Sequence, residues 1–196
     1  MHAMQDEAGA PLTTAADPTP SPPAPVPTGG RRRLYAVLLG LAAGVLVLDQ
    51  ASKVWALQAL TPGNPVRVIG DLIRLNLIRN PGAAFSIGDG STWLLTAVSL
   101  AILVWVLVGA RKVGNMPWAV ALGLLLGGAV GNLIDRVFRE PGPGRGHVVD
   151  FIDYFGLFIG NVADIAIVVG AGIIMVLSFR GTSLAGPVHR PEHADD

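Results

Sequence analysis

The chain has 196 residues, of which 51% are hydrophobic and 14% charged, with a mean hydropathy of +0.53 and a formal net charge of zero. A soluble domain carries roughly 25% charged residues, so this composition argues against a soluble enzyme and against a disordered chain. Cysteine is absent, which excludes disulfides, thiolate metal sites and cysteine nucleophiles.

Residues 1–30 are rich in Pro, Ala and Thr, carry Asp6, Glu7 and Asp17, and contain no Lys or Arg. Such a segment cannot bury enough apolar surface to repay its ordering entropy and reads as a disordered tail. Arg31–Arg33 precede the apolar run Leu34–Leu48, and the helical pattern continues through Asp49 and Lys53 to about Ala59. The absence of a small-x-small cleavage site at the far end favours a retained transmembrane helix over a cleaved signal peptide. Three further spans follow at Ser91–Ala110, Met116–Ile134 and Gly160–Phe179. Each is about twenty residues, enough to cross a hydrocarbon core of about 30 Å.

Between the first two spans, Pro65–Arg79 alternates apolar and polar residues in places, most clearly at Arg74-Leu-Asn-Leu, and predicts short strands. The Gly-, Pro- and Arg-rich stretch Val137–Gly146 reads as a flexible excursion. The expected fold is an all-α integral membrane bundle of four transmembrane helices with a small extracytoplasmic β-strand cradle. Residues 31–180 form the membrane domain, and 181–196 a polar cytoplasmic tail.

Basic residues near the spans divide almost evenly. Arg31–Arg33, Arg111, Lys112, Arg180 and Arg190 fall on one side; Arg67, Arg74, Arg79, Arg136, Arg139 and Arg145 fall on the other. The arginine triplet beside the first helix weighs most, and places both termini in the cytoplasm. The charges flank apolar runs rather than forming one basic face, which is a poor pattern for nucleic acid.

An ionisable group inside or at the end of a membrane span is a functional candidate by default. Asp49 lies well into the first helix, Asp135 ends the third, Asp150 follows it, and Asp164 stands in the first turns of the fourth. Under this topology all four gather toward the outer face. Each also has a plain structural role available. Asp49 and Lys53 are four apart and can pair. Asp135 can be a charged helix terminus beside Arg136. Asp150 and Asp153 can be loop acids. Asn161 and Asp164 have capping-box spacing. Gly123, Gly127 and Gly131 form a stripe that admits close helix packing. Asn132–Asp135 and Asn161–Asp164 each place an amide and a carboxylate on one helix face, either as caps or as part of a polar cluster.

Two carboxylates can share one proton, the ionised one activating water and the protonated one polarising a carbonyl, because like charges a few ångströms apart cannot both ionise. Residue types alone leave both Asp135 and Asp150 open as the partner of Asp164. The apolar neighbours Val149 and Phe151 tilt toward Asp150, and Arg136 beside Asp135 would keep that group ionised. A small proton- or ion-coupled transporter is a competing reading, but would place its acids near the midplane. A purely structural membrane subunit has little need of these polar motifs.

Five motifs carry a resemblance: Asp49-Gln-Ala-Ser-Lys53, Asn80-Pro-Gly-Ala-Ala-Phe-Ser86, Gly127-Gly-Ala-Val-Gly-Asn-Leu-Ile-Asp-Arg136, Val148-Val-Asp-Phe-Ile152 and Asn161-Val-Ala-Asp164. In this order they resemble lipoprotein signal peptidase (signal peptidase II). The resemblance implies a bacterial cytoplasmic-membrane aspartic endopeptidase. It would cut the signal peptide from diacylglyceryl-modified prolipoproteins before the lipidated cysteine, use no cofactor or metal, and be the target of globomycin-type cyclic peptides. It implies Asp150 and Asp164 as the catalytic pair. Asp49, Asn80, Gly82, Asn132, Asp135, Arg136 and Asn161 would line the substrate site or hold the pair, and Lys53 would support Asp49. Three departures stand out. Gly160 occupies a position where the family usually has Phe. The stretch from Arg136 to Val148 is longer than usual. The stretch from Asp150 to Asp164 is short, and would form a flap over the site.

Overall fold

The structure, a computed structural model, describes residues 28–82 and 92–186. Among the described residues four helices are long and apolar enough to cross a membrane: α1 (Thr28–Ala59), α2 (Thr92–Ala110), α3 (Met116–Phe138) and α4 (Val162–Phe179). Four strands, β1 (Val66–Ile69), β2 (Ile73–Asn80), β3 (Val148–Tyr154) and β4 (Phe158–Gly160), form one antiparallel sheet in chain order. The expected bundle and the strands of 65–79 are therefore both present, and the sheet also includes β3 and β4, which were not expected.

Several boundaries differ from the sequence reading for local physical reasons. Helix α1 begins at Thr28, inside the segment assigned to the tail, and most of that tail lies outside the described residues. Helix α3 continues for a turn beyond Asp135, which places that carboxylate inside the helix rather than at its end. Asp150 and Asp153 are strand residues, not loop acids. Helix α4 starts at Val162 because Phe158–Gly160 pair with β3 and Asn161 then caps the helix. The stretch after α3 is tied back rather than loose. The amide of Gly146 donates to the Arg136 carbonyl at 3.0 Å, that of His147 donates to Glu140 at 2.9 Å, and the Thr96 hydroxyl donates to Gly144 at 2.8 Å. At the other end, residues 181–186 dock on the α2–α3 turn. Gly114 N–H donates to Leu184 at 2.9 Å and Trp118 Nε1 to Thr182 at 3.0 Å.

Helix α3 is the central element, buried along most of its length and packed on α1, α2 and α4. Its N-terminus is set by Asn115, whose side chain accepts from Trp118 N–H, and by Pro117 in the first turn. The small-residue stripe faces α1. A Cβ on Gly127 would lie 2.7 Å from the Ala42 carbonyl oxygen, and one on Gly131 would lie 2.6 Å from Asp49 Oδ2. The glycines thus draw α1 close enough for its charged side chains to enter the cluster around α3. Gly127→Leu should destabilise the protein by about 1–3 kcal/mol through overpacking. Gly44→Leu should be silent, since nothing stands within 4 Å of a Cβ there. Thermal unfolding in detergent separates the two.

The apolar interior of the bundle centres on Leu38, Val106, Trp118, Leu122, Leu126 and Leu177. A second apolar cluster, Ala56, Leu77, Val149 and Phe151, joins the end of α1 to the sheet, with Trp55 edge-on to Phe151 at 6.2 Å. The outward faces carry Leu39, Val47, Val104, Trp105, Val168 and Met175. That is the exterior expected of helices bathed in lipid rather than water.

Candidate active site

Asp49, Lys53, Asp135, Arg136, Asp150, Asp153 and Asn161 are all buried, at the end of the bundle where α1, α3 and α4 meet the sheet. Among the described residues no buried side-chain nitrogen or oxygen lacks a hydrogen-bond partner. The cluster is therefore paid for internally, as low-dielectric surroundings require.

Strand pleating brings Asp150 into the cluster. Successive side chains on β3 point to opposite faces, so Val149 and Phe151 enter the apolar cluster with Ala56 and Leu77 while Asp150 turns toward α3 and α4. Its apolar neighbours in sequence thus look away from it. Asp150 Oδ2 accepts from Asn80 Nδ2 at 2.8 Å, and Oδ1 from Asn161 Nδ2 at 2.6 Å. The Asn80 amide is itself oriented, because its Oδ1 accepts from Gly82 N–H at 2.8 Å. The remainder of that motif, 83–86, lies outside the described residues. Burial, the largest influence, pushes the Asp150 carboxyl up to about 6, and the negative Asp164 adds to this; Asn80 and Asn161 pull in the other direction.

Helix capping places Asp164. Asn161 caps α4 and Asp164 is the third residue of its first turn. Asn161 Oδ1 accepts from the Asp164 amide at 3.0 Å, and Asp164 Oδ2 accepts from the Asn161 amide at 3.0 Å. The remaining Asp164 oxygen accepts from Asn132 Nδ2 at 2.8 Å. Asn161 thus serves both readings open in the sequence. It is the helix cap, and its side-chain nitrogen touches Asp150. One residue ties the two carboxylates together.

Behind them stands a charged brace. Lys53, fully buried, lies 2.8 Å from Asp49 Oδ2 and 3.0 Å from Asp135 Oδ2, and donates to Asn132 Oδ1 at 3.0 Å. Asn132 Oδ1 also accepts from Asn161 Nδ2 at 3.1 Å. With two donors on its oxygen, the Asn132 amide is locked with its nitrogen toward Asp164. Asp49 Oδ1 accepts from Ala163 N–H at 3.0 Å, at the positive end of α4.

Arg136 interacts electrostatically with the neighbouring Asp135 but makes no direct ion pair with it. Arg136 Nη1 instead points to the carbonyls of Pro81 and Gly146, at 3.4 and 3.5 Å. The cations on Asp135 are Lys53 and Arg139, whose Nε lies 2.6 Å from Oδ1. Consecutive helix residues point about 100° apart, whereas Asp135 and Arg139 are one turn apart on the same face. Asp135 Oδ2 also accepts from Val149 N–H at 3.1 Å, and so holds β3 one residue before Asp150.

Arg139 and Gln50 were not among the sequence candidates. Gln50 Nε2 donates to Asp49 Oδ2 at 3.0 Å and to the Gly131 carbonyl at 3.1 Å. The i,i+4 spacing of Asp135 and Arg139 was the available signal for the first, and for Gln50 its place within the motif Asp49-Gln-Ala-Ser-Lys53. Asp153, treated as a loop acid, is held by Arg74 through Nε at 3.2 Å and Nη2 at 2.9 Å, a cross-strand pair set by the β2–β3 register. The departure at Gly160 also has a structural counterpart. The Phe158 ring lies against it, 2.8 Å from where a Cβ would stand, and stacks on Tyr154. An aromatic ring therefore lies against Gly160 from two residues earlier.

The chain matches a family model described as signal peptidase (SPase) II over residues 41–180. A lipoprotein signal peptidase of Mycolicibacterium smegmatis is 46% identical, over 91% of this chain and 74% of that protein. One of Streptomyces coelicolor is 47% identical, over 85% and 81%. A bacterial membrane enzyme solved by the in meso method at 2.3 Å superposes with a TM-score of 0.67 at 28% identity, covering 80% of this chain and 95% of the other. With four membrane-crossing helices, a polar cluster at one end of them and relatives of this kind over most of its length, the chain belongs to the signal peptidase II family.

Proposed function

We propose that Asp150 and Asp164 are the catalytic pair with which this membrane protease removes signal peptides from prolipoproteins, in an aspartic mechanism without metal or cofactor. The observation that carries the assignment is the bridge through Asn161. It contacts both carboxylates, while Asp49 and Asp135 are both engaged by the Lys53 ammonium.

Asp150, almost fully buried and pushed up to about 6, is suited to hold the shared proton. Asp164 is half-buried and takes the proton of the attacking water. The water oxygen adds to the scissile carbonyl carbon as Asp150 gives its proton to the carbonyl oxygen. The tetrahedral diol then returns a proton to Asp150. Asp164 passes its own to the departing nitrogen as the C–N bond breaks, restoring the starting charge state. Asn80, Asn132 and Asn161 hold the two carboxylates; Asp49, Lys53 and Asp135 hold those amides and the ends of β3 and α4. Arg136, with Gly82 against it, lies on the substrate side.

A prolipoprotein whose diacylglyceryl-modified cysteine directly follows the cut is the expected substrate. A globomycin-type cyclic peptide is the expected occupant of the same site, and lipid the expected solvent around it. Both termini are placed in the cytoplasm and the pair toward the outer face. Arg31–Arg33 beside α1 support this orientation, and the opposite end shows Arg67, Arg74, Arg79 and Arg139 each facing a carboxylate.

The test is a gel-shift assay with purified protein in detergent and a diacylglyceryl-modified prolipoprotein, run across pH. Cleavage should require the lipid modification, and its rate should fall as pH rises through about 6, because the shared proton is then lost. Asn80→Ala removes a hydrogen bond that favours the ionised Asp150. The alkaline limb should therefore move upward in pH. A limb that stays in place, or moves downward, would count against Asp150 as the proton carrier.

A further inference from the structure

The end of the bundle opposite the catalytic pair carries Arg31, Arg32, Arg33, Arg111, Lys112 and Arg180, and among the described residues no carboxylate lies at that end. These charges are not merely scattered. Arg31, Arg33 and Lys112 rim a cavity of about 620 Å³ between the start of α1 and the α2–α3 turn, with Leu34, Val113 and Met116 as its apolar lining. Arg31 is held in place, its Nη2 donating to the Arg111 carbonyl at 2.6 Å and its guanidinium lying 5.8 Å from the centre of the Tyr35 ring. An already oriented cation loses little conformational freedom when it takes up an anion.

A second cleft lies deeper in the bundle. Helices α1 and α2 both pack on α3, and between them runs an apolar groove of about 340 Å³. Ala43, Leu46, Leu103 and Leu107 wall it, and Gly127 and Val130 lie on its α3 side. From Leu34 in the cavity to Ala42 in the groove is about 12 Å along α1, at 1.5 Å per residue. A cationic cavity and an apolar groove in series have the shape of an amphiphile with a negative head.

We propose that this end of the protein is a binding site for an anionic glycerophospholipid, its phosphate held by Arg31, Arg33 and Lys112 and one acyl chain lying in the α1–α2 groove. Charge complementarity selects a headgroup of net negative charge. A choline headgroup would bring its own cation against unneutralised cations. A free phosphate would satisfy the rim and leave the groove unused. The site is separate from the cleavage chemistry and does not depend on it.

Native mass spectrometry of the full chain in detergent tests this, with dioleoylphosphatidylglycerol, dioleoylphosphatidylcholine and inorganic phosphate as probes. The phosphatidylglycerol adduct should be preferred over phosphatidylcholine by at least about tenfold, since each membrane-facing cation is worth about fivefold in affinity. Arg31→Gln/Arg33→Gln/Lys112→Gln should abolish the preference while retaining cleavage activity, which reports a native fold. Arg180→Gln, on the same end but outside the cavity, should keep it. Ala43→Trp, which fills the groove, should weaken dioleoylphosphatidylglycerol and leave unchanged a fourth probe, dihexanoylphosphatidylglycerol, whose short chains make little use of the groove. Equal binding of the two headgroups, or a preference that survives the triple substitution, would overturn the proposal. So would displacement of the lipid by inorganic phosphate at matching concentration, which would reveal an anion site with no use for the groove.

Discussion

Asp150→Asn and Asp164→Asn are each expected to lower cleavage by about 10²–10⁴-fold or more, with the helical fold retained. The substitution keeps side-chain shape and removes the ability to carry or accept the catalytic proton. Its structural cost is confined to one contact in each case. Both oxygens of Asp150 accept from amide nitrogens, those of Asn80 and Asn161. An amide there satisfies one of them and opposes the other, a loss of about 1–3 kcal/mol. Asp164 behaves likewise against Asn132 and the Asn161 backbone. Asn132 cannot turn over to help, because its oxygen already accepts from Lys53 and Asn161. Asp135→Asn is different. It keeps an acceptor for Val149 N–H but halves the negative charge facing Lys53, so it should act mainly through stability. Cleavage by gel shift and thermal unfolding, measured side by side on all three, decide the matter. Equal loss of turnover with an unchanged melting temperature for Asp135→Asn would make that residue as good a catalytic candidate as Asp150.

The largest effect on stability is expected at Lys53. Its ammonium is fully buried between Asp49 and Asp135 and contacts both. Lys53→Met preserves much of the stem's volume and leaves two carboxylates facing each other without their cation. Breaking a buried pair by removing one partner costs about 3–5 kcal/mol. Here one partner serves two, and only Asp135 retains another cation, Arg139. The melting temperature in detergent should fall by many degrees. Adding Asp49→Asn to Lys53→Met should recover part of the loss, because it removes the charge left unmatched, and the non-additivity measures the coupling. A Lys53→Met protein that melts like the parent would show that the brace is not what holds the cluster.

Local spacing made the sequence legible up to the point where contacts cross between elements. The four spans follow from length and hydropathy. The Asp49–Lys53 pair follows from the helical repeat, and the Asn161–Asp164 box from the chemistry of a helix start. Spacing could not show that the Asn161 side chain also reaches Asp150, nor that Lys53 reaches past Asp49 to Asn132 and Asp135 on another helix. Adjacency rightly suggested that the Arg136 charge acts on Asp135, but consecutive helix residues face apart, so the direct ion pairs of Asp135 are with Lys53 and Arg139. Strand β3 was not legible because both of its faces are buried, with apolar Val149 and Phe151 on one and Asp150 on the other, and a short run after a Gly- and Pro-rich stretch carries little period of its own. Its register against β2 depends on partners some seventy residues away, Ile78 opposite Asp150 and Arg74 opposite Asp153.

The brace through Lys53 and Asn132 also bears on how the bundle coheres. Lipid tails are as apolar as leucine, so the drive that gathers helices in water is missing inside a membrane, and close packing and polar contacts must supply it. In this chain the polar contacts between spans are concentrated in the site itself: α1 reaches α3 through Lys53, α3 reaches α4 through Asn132, and α4 reaches β3 through Asn161. The groups that would cleave the substrate are thus joined to those that keep three of the four spans together. Helix α2 stands apart, packed on α3 by apolar side chains and fastened at its ends by Thr96 and the Arg111 carbonyl. A membrane that perturbs helix association would loosen α2 first, and would reach the chemistry only when the other three helices part.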